Sequence, residues 1–280
     1  MRAPSSLGMV EPGAEEGRAR WASRARRVAT PVAILLLYYT LTETRTVDKV
    51  FFPPVGKLWD SWQGIWPAFP GGLASSVFMT LTGWAIGTVI GVAMGLVMAY
   101  SRVTRDLFGG VFDFLRPVPI FALIPLFILW FGLGQEPQIA LIALGTSTIL
   151  GVTTIEAIRN VAAVHVRAAL TLGATRAQVY RTVVVPSISP HMLGAIRLAA
   201  AASWGLDVAA EFMGAQSGLG YIMINRQQYL DIAGILDIVI VYSCLAVILD
   251  QVIQRLEHPF TKWTERRVQR GVVASMIGNA

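Results

Sequence analysis

The sequence predicts an all-α membrane protein with six transmembrane helices, and three observations carry that expectation. Hydrophobic residues make up 54% of the chain and charged residues only 14%, where soluble domains carry about a quarter charged; mean hydropathy is +0.57. The apolar residues fall into six runs that approach the roughly 20 residues a helix needs to cross the hydrocarbon core. The basic residues, 23 against 17 acidic, lie in the gaps between those runs. A nucleic-acid binder would gather them on one polar domain instead.

The expected spans are 28–42, 73–100, 117–134, 138–155, 191–213 and 232–249. They give a polar tail over 1–27, a six-helix transmembrane domain over 28–252 and a basic tail over 253–280. Cys244, the only cysteine, lies in an apolar run, so no intrachain disulfide or Cys-based metal site can form. The polar start and the lack of a small-residue cleavage site after the first span argue against a signal peptide.

With the N-terminus inside, the inner segments hold eighteen basic residues and the outer ones four, Arg45, Lys49, Lys57 and Arg226. That bias places both ends on the cytoplasmic side. On the outer side, Leu58, Trp62, Ile65 and Phe69 recur at helical spacing within "FFPPVGKLWDSWQGIWPAFPGG" (51–72). They predict an interfacial amphipathic helix, either an anchor or a docking surface, closed by Pro70-Gly71-Gly72.

In the second span Gly83, Gly87, Gly91 and Gly95 fall four apart on one face. Small residues at that spacing let helix backbones approach where lipid gives no hydrophobic drive for association. The spacing leaves open whether the partner helix belongs to the same subunit. In the third span, Pro125 is expected to kink a helix that also carries Pro117 and Pro119.

The inner segment 158–190 has no acid and an unusual punctuation. A helical stretch over 162–172 ends at Gly173, the left-handed position that terminates a helix. Thr175 stands three before Gln178, the capping-box arrangement, and the second short helix is expected to stop at Pro186. Bilayer anchoring needs the arginines but not two caps, so the segment reads as a docking element.

The spacing of Arg167-Ala168-Ala169, Gly173, Val183, Val185 and Pro186 resembles the "EAA" loop of ABC importer permeases, with Arg167 where the family usually has Glu. "RPVPIFALIPLFILWFGLG" (116–134), "AAEFMGAQSGLGYIM" (209–223) and "FFPPVGKLW" are similar to signatures of its taurine, aliphatic sulfonate and nitrate branch. The resemblance covers all but about the first 30 residues. It implies a type I importer fold and a homodimer in the plasma (inner) membrane. It also implies two cytoplasmic ATPase subunits, which bind ATP and Mg, and an extracytoplasmic solute-binding protein. The loop at 162–186 would then supply the coupling helix that rests on the ATPase. The cargo would be taurine or another alkanesulfonate, with nitrate or a thiamine-precursor pyrimidine as alternatives.

The chain has no G-x-x-x-x-G-K-[ST], H-E-x-x-H or G-x-S-x-G, so no ATP site, zinc site or hydrolase nucleophile of its own is expected. His165, His191 and His258 are scattered and form no metal spacing. An ATP-independent secondary transporter is the reading from another class. It predicts an inverted repeat, which the sequence does not display.

Asp207 and Glu211 lie four apart in the fifth span and share a helix face. Either they line an outer gate, or Glu211 accepts backbone amides of the Gly-rich turn "GAQSGLGY". Two carboxylates would repel an anionic cargo, which favours structure or gating over binding. Asp237 in the sixth span is a third pathway candidate, with Arg197 as its partner if the two helices meet.

Overall fold

A computed structural model describes residues 29–44 and 51–257 of the chain. The tail 1–27, Arg45, Lys49, His258 and the rest of the C-terminal tail lie outside the described residues. The chain divides at Ser61 into two compact units.

In the first unit an apolar helix, α1 (29–43), holds its own polar groups by local bonding: the Thr42 hydroxyl donates to the Tyr38 carbonyl at 3.0 Å. The Tyr38 hydroxyl donates to the Pro53 carbonyl at 2.6 Å, fastening the Pro pair that precedes α2 (Val55–Ile65).

The second unit contains α3 (Phe69–Tyr100), α4 (Arg102–Leu115), α5 (Ile124–Phe131), α6 (Glu136–Arg159), α7 (Ala163–Thr171), α8 (Arg176–Val179), α9 (Val185–Gly214), α10 (Leu219–Gln228) and α11 (Ile232–Glu257). Among the described residues α3, α6, the continuous Arg176–Gly214 helix and α11 are long and apolar enough to cross a membrane. A fifth span exists if the bent pair α4 and Ile120–Phe131 counts as one. The first expected span, 28–42, corresponds to α1.

Helix α6 is the core of this unit. Of its most apolar window 61% is buried, against 22–28% for the other three, which leave their faces to lipid. The reason is in its composition, since Gly145, Gly151 and a run of Ser and Thr keep its surface small. Ser147 and Thr148 donate to the Leu144 carbonyl, Thr153 to Ile149 and Thr154 to Leu150. These four hydroxyls are thus satisfied within the helix, while that of Thr146 is buried without a partner, and the backbone stays free to approach a neighbour.

That neighbour is α3. Gly83, Gly87, Gly91 and Gly95 are all buried. A Cβ on Gly87 would stand 2.5 Å from the Ala143 carbonyl oxygen, and one on Gly91 2.6 Å from that of Ser147. Gly83 meets Ile142, and Gly95 meets Thr154, in the same way. The face therefore packs within the subunit.

Several expected boundaries differ from the structure. The outer amphipathic helix ends at Ile65, and Pro70 opens α3 rather than closing α2; a residue without an N–H costs nothing in a first turn. Trp62, Trp66 and Phe69 still cluster, with ring centroids 4.8–6.0 Å apart.

The third span is no single kinked helix. Pro117 and Pro119 break the chain, α4 and Ile120–Phe131 meet at 95°, and Pro125 sits at the start of α5, so it frees no carbonyl inside a helix. The segment 101–115, expected only as an inner loop, is amphipathic α4, capped by the Ser101 hydroxyl accepting from the Thr104 amide. Finally, α11 runs on to Glu257, past the expected boundary at 252.

Candidate functional site: a capped hairpin and a buried carboxylate knot

The hairpin is built from two helix ends. At the C-terminus of α7, Gly173 takes φ +85°. The Ala174 amide donates to the Ala169 carbonyl, and the Gly173 amide to that of Leu170. These are the two bonds of a Schellman turn, and the left-handed φ is one that glycine adopts cheaply.

At the N-terminus of α8, the Gln178 amide donates to the Thr175 hydroxyl, and the Thr175 amide donates to Gln178 Oε1 at 2.8 Å. The two caps fix the angle between α7 and α8 by local bonds alone. Arg167, Ala168, Thr175, Gln178 and Pro186 are exposed, Ala169 is half-buried, and Leu172 at the turn is 88% exposed. The hairpin thus offers an exposed apolar residue at its turn and three exposed arginines, Arg167, Arg176 and Arg181, along its arms.

Pro186 does not end the second helix. A π-helical turn, Tyr180–Val184, leads from α8 directly into α9, with the Val185 amide reaching back five residues to the Tyr180 carbonyl. The wider turn accommodates the proline ring at the second residue of α9, within its first turn. Pro190 lies inside α9 and cannot bond the Pro186 carbonyl; the Ser189 hydroxyl does so instead, at 2.9 Å. The second arm of the hairpin and the span are therefore one continuous helical body, Arg176–Gly214.

Two contacts of this body lack a local sequence signal. The Tyr180 hydroxyl donates to the Leu96 carbonyl at 2.6 Å, and its ring packs edge-on to Tyr100 at 5.1 Å, so the hairpin is tied to the end of α3. Farther along α9, Arg197 pairs with Asp250 rather than Asp237. Nε and Nη2 lie 2.7 and 3.1 Å from the two carboxylate oxygens, and Glu257 is 3.9 Å away. The α9–α11 crossing places Asp250, not Asp237, opposite the guanidinium.

At the end of α9 remote from the hairpin, Asp207 and Glu211 are buried, 0% and 1% exposed, among α3, α10 and α11. Glu211 Oε1 accepts from the Ser76 hydroxyl at 2.6 Å. Glu211 Oε2 accepts from the amides of Gly220 and Tyr221 at the start of α10, where amide hydrogens lack intrahelical partners. The Tyr242 hydroxyl stands between the acids, 3.2 Å from Asp207 Oδ2 and 3.4 Å from Glu211 Oε2. Ser76 also accepts from the Leu219 amide, closing the knot. Asp237 is on α11, largely buried, and joins none of these bonds.

A separate cavity of about 460 Å³ lies where the chain breaks between α4 and α5, lined by Pro119, Ile120, Phe121, Thr148, Ala202 and Gly205 among others. Asp207, Glu211 and Asp237 do not line it. Non-helical backbone at membrane depth is tolerated where it borders such a space.

Residues 87–262 match the family model described as "Binding-protein-dependent transport system inner membrane component". The chain is 27% identical over 245 residues to the taurine transport system permease protein TauC of Escherichia coli (strain K12), covering 84% of this chain and 88% of that protein. It is 30% identical over 243 residues to the putative aliphatic sulfonates transport permease protein SsuC of the same organism, covering 87% and 84%. Among solved structures, an inward-facing conformation of the MetNI methionine ABC transporter shares the fold, with a TM-score of 0.62 at 19% identity over 71% of this chain and 99% of that one.

Proposed function

Because the chain belongs to the family of binding-protein-dependent transport inner-membrane components, and is thus an ABC importer permease, we propose that it carries a small organic anion, taurine or another alkanesulfonate, inward across the membrane. The observation that carries the docking half of this reading is the doubly capped hairpin continuous with α9. A force applied at the hairpin, with Leu172 at its turn, passes through the capped turn into a single helical body, Arg176–Gly214, that leads to the opposite side of the bilayer. The hairpin rests on a cytoplasmic ATPase subunit, which holds the ATP and Mg, while this chain contributes no hydrolytic chemistry. A second copy of the chain completes the pathway, with the α4–α5 break and its cavity turned toward it. A solute-binding protein delivers the cargo on the outer side, and the lining of that cavity, which holds no acid, does not repel an anion on its way inward.

The test is loss of coupling without loss of fold. Gly173→Val forces a β-branched side chain to φ +85°, so the two short helices tilt apart. The ATPase subunits should no longer co-purify, and substrate-stimulated hydrolysis in reconstituted membranes should fall to background. Thr175→Ala should act more mildly, costing about 1 kcal/mol of capping. Normal co-purification and transport by Gly173→Val would reduce the hairpin to an anchor. For the cargo, calorimetric titration of the partner solute-binding protein with taurine, longer alkanesulfonates, nitrate and a thiamine-precursor pyrimidine decides. Binding of nitrate or the pyrimidine alone would displace the sulfonates.

A further inference from the structure

The carboxylate knot contains two acids and no base. Among the described residues the ion pairs are Arg116–Glu156, Arg197 with Asp250 and Glu257, and Arg226–Asp231, so neither Asp207 nor Glu211 has a cationic partner. Two adjacent ionised carboxylates in such a place are heavily penalised, because each loses hydration and repels the other.

The hydrogen-bond supply is unequal. Glu211 faces four donors: the Ser76 hydroxyl, the Gly220 and Tyr221 amides, and the Tyr242 hydroxyl. Four is about what a carboxylate's lone pairs accept, and two of the donors are the amides at the start of α10, where the helix dipole favours negative charge. Asp207 has one donor in bonding geometry, the Tyr242 hydroxyl, and one further donor beside it, the fully buried Thr80 hydroxyl. Tyr242 has one hydrogen to give and two acids to serve. If that hydrogen goes to Glu211, the contact with Asp207 is bonding only when Asp207 is itself the donor.

From this geometry we infer that the knot is a proton-binding site: Asp207 holds a proton on Oδ2 and donates it to the Tyr242 oxygen, Tyr242 donates to Glu211 Oε2, and Glu211 alone carries the negative charge. The relay joins α9 to α11 and, through Glu211, to α10 and α3. It leaves one compensated charge at this end of the bundle instead of two. The assignment makes the two acids unequal in a way their positions on one helix face do not.

Infrared spectroscopy of the full-length chain in lipid tests this directly, since a protonated carboxylic acid has a C=O stretch that carboxylates lack. Asp207→Asn should remove one such band relative to the parent and keep the fold, because the carboxamide N–H replaces the acid as donor to Tyr242. Glu211→Gln should leave the band present. Tyr242→Phe should shift the same band to higher frequency as its acceptor is lost. The inference is overturned if Asp207→Asn removes no band, if the band disappears in Glu211→Gln, or if Tyr242→Phe leaves its position unchanged. Should Asp207→Asn fail to fold, the Glu211→Gln and Tyr242→Phe spectra decide together: a band that persists in the first and moves in the second supports the assignment, since the buried Asp237 does not bond Tyr242, and any other pair of outcomes refutes it.

Discussion

Gly218 and Arg197 show how much single residues fix, one just beyond the end of α9 and one in its middle. Gly218 sits at φ +124°, ψ 169°, a region that costs any other residue of order 1–3 kcal/mol. A Cβ there would also fall on the Glu211 carboxylate. Gly218→Ala should therefore displace Glu211 from the start of α10, which thermal unfolding of the purified chain would register as a loss of at least that size. An unchanged midpoint would mean that the knot does not depend on the turn. Arg197 holds Asp250 through two nitrogens at once. Lysine keeps the charge but not the fork, so Arg197→Lys should lose about 1 kcal/mol of the pairing. A double-mutant cycle with Asp250→Asn would measure that coupling, and additive effects would show the pair to be idle.

At the scale of helices, the α3–α6 contact reverses the usual rule for glycine. Replacing a helical glycine by alanine ordinarily gains about 0.5–1 kcal/mol. Gly110 in α4 has open space where a Cβ would go, so Gly110→Ala should follow that rule. Gly87→Ala should do the opposite, because its methyl group meets the Ala143 backbone and the Thr146 side chain. Unfolding in mixed micelles should give shifts of opposite sign for the two variants. Shifts of the same sign would refute the close approach of α3 to α6. Gly87→Leu and Gly91→Leu should abolish folding of the subunit itself, not only its assembly.

For the whole molecule the first question is which side of the membrane each end of α9 occupies. The basic-residue bias puts the hairpin inside and the turn at 215–218 outside. With the exposed Cys244 first replaced by alanine, a cysteine at Gln216 should react with an impermeant maleimide added to intact cells, and one at Thr175 should not. Labelling at Thr175 from outside would invert the topology and remove the hairpin from reach of a cytoplasmic ATPase.

Local bonds and composition were legible from the sequence; contacts between helices were not. The turn at Gly173 and the capping box at Thr175 and Gln178 involve partners within a few residues, so their chemistry is written in the order of the chain. The glycine face of α3 was equally visible, because four small residues at one spacing have a single geometric use. Helix α4 could have been found as well: Val103, Leu107, Val111 and Phe114 follow a helical stripe. Its arginines pointed to a loop because charge is read first as topology. The proline assignments failed for a physical reason. Whether Pro125 and Pro186 break, kink or begin a helix depends on the preceding turn, and a 3₁₀ turn and a π turn, respectively, had absorbed the disruption.

What the tertiary structure alone decided is which polar groups meet across the bundle. Ser76 is 135 residues from Glu211, and Tyr242 is 35 from Asp207. Arg197 finds Asp250 rather than Asp237 because of where α9 crosses α11. A one-dimensional pattern fixes the face on which a side chain lies, since helical periodicity is a property of one segment. The partner on the facing helix is set by the crossing point of two segments, and no local interaction encodes it.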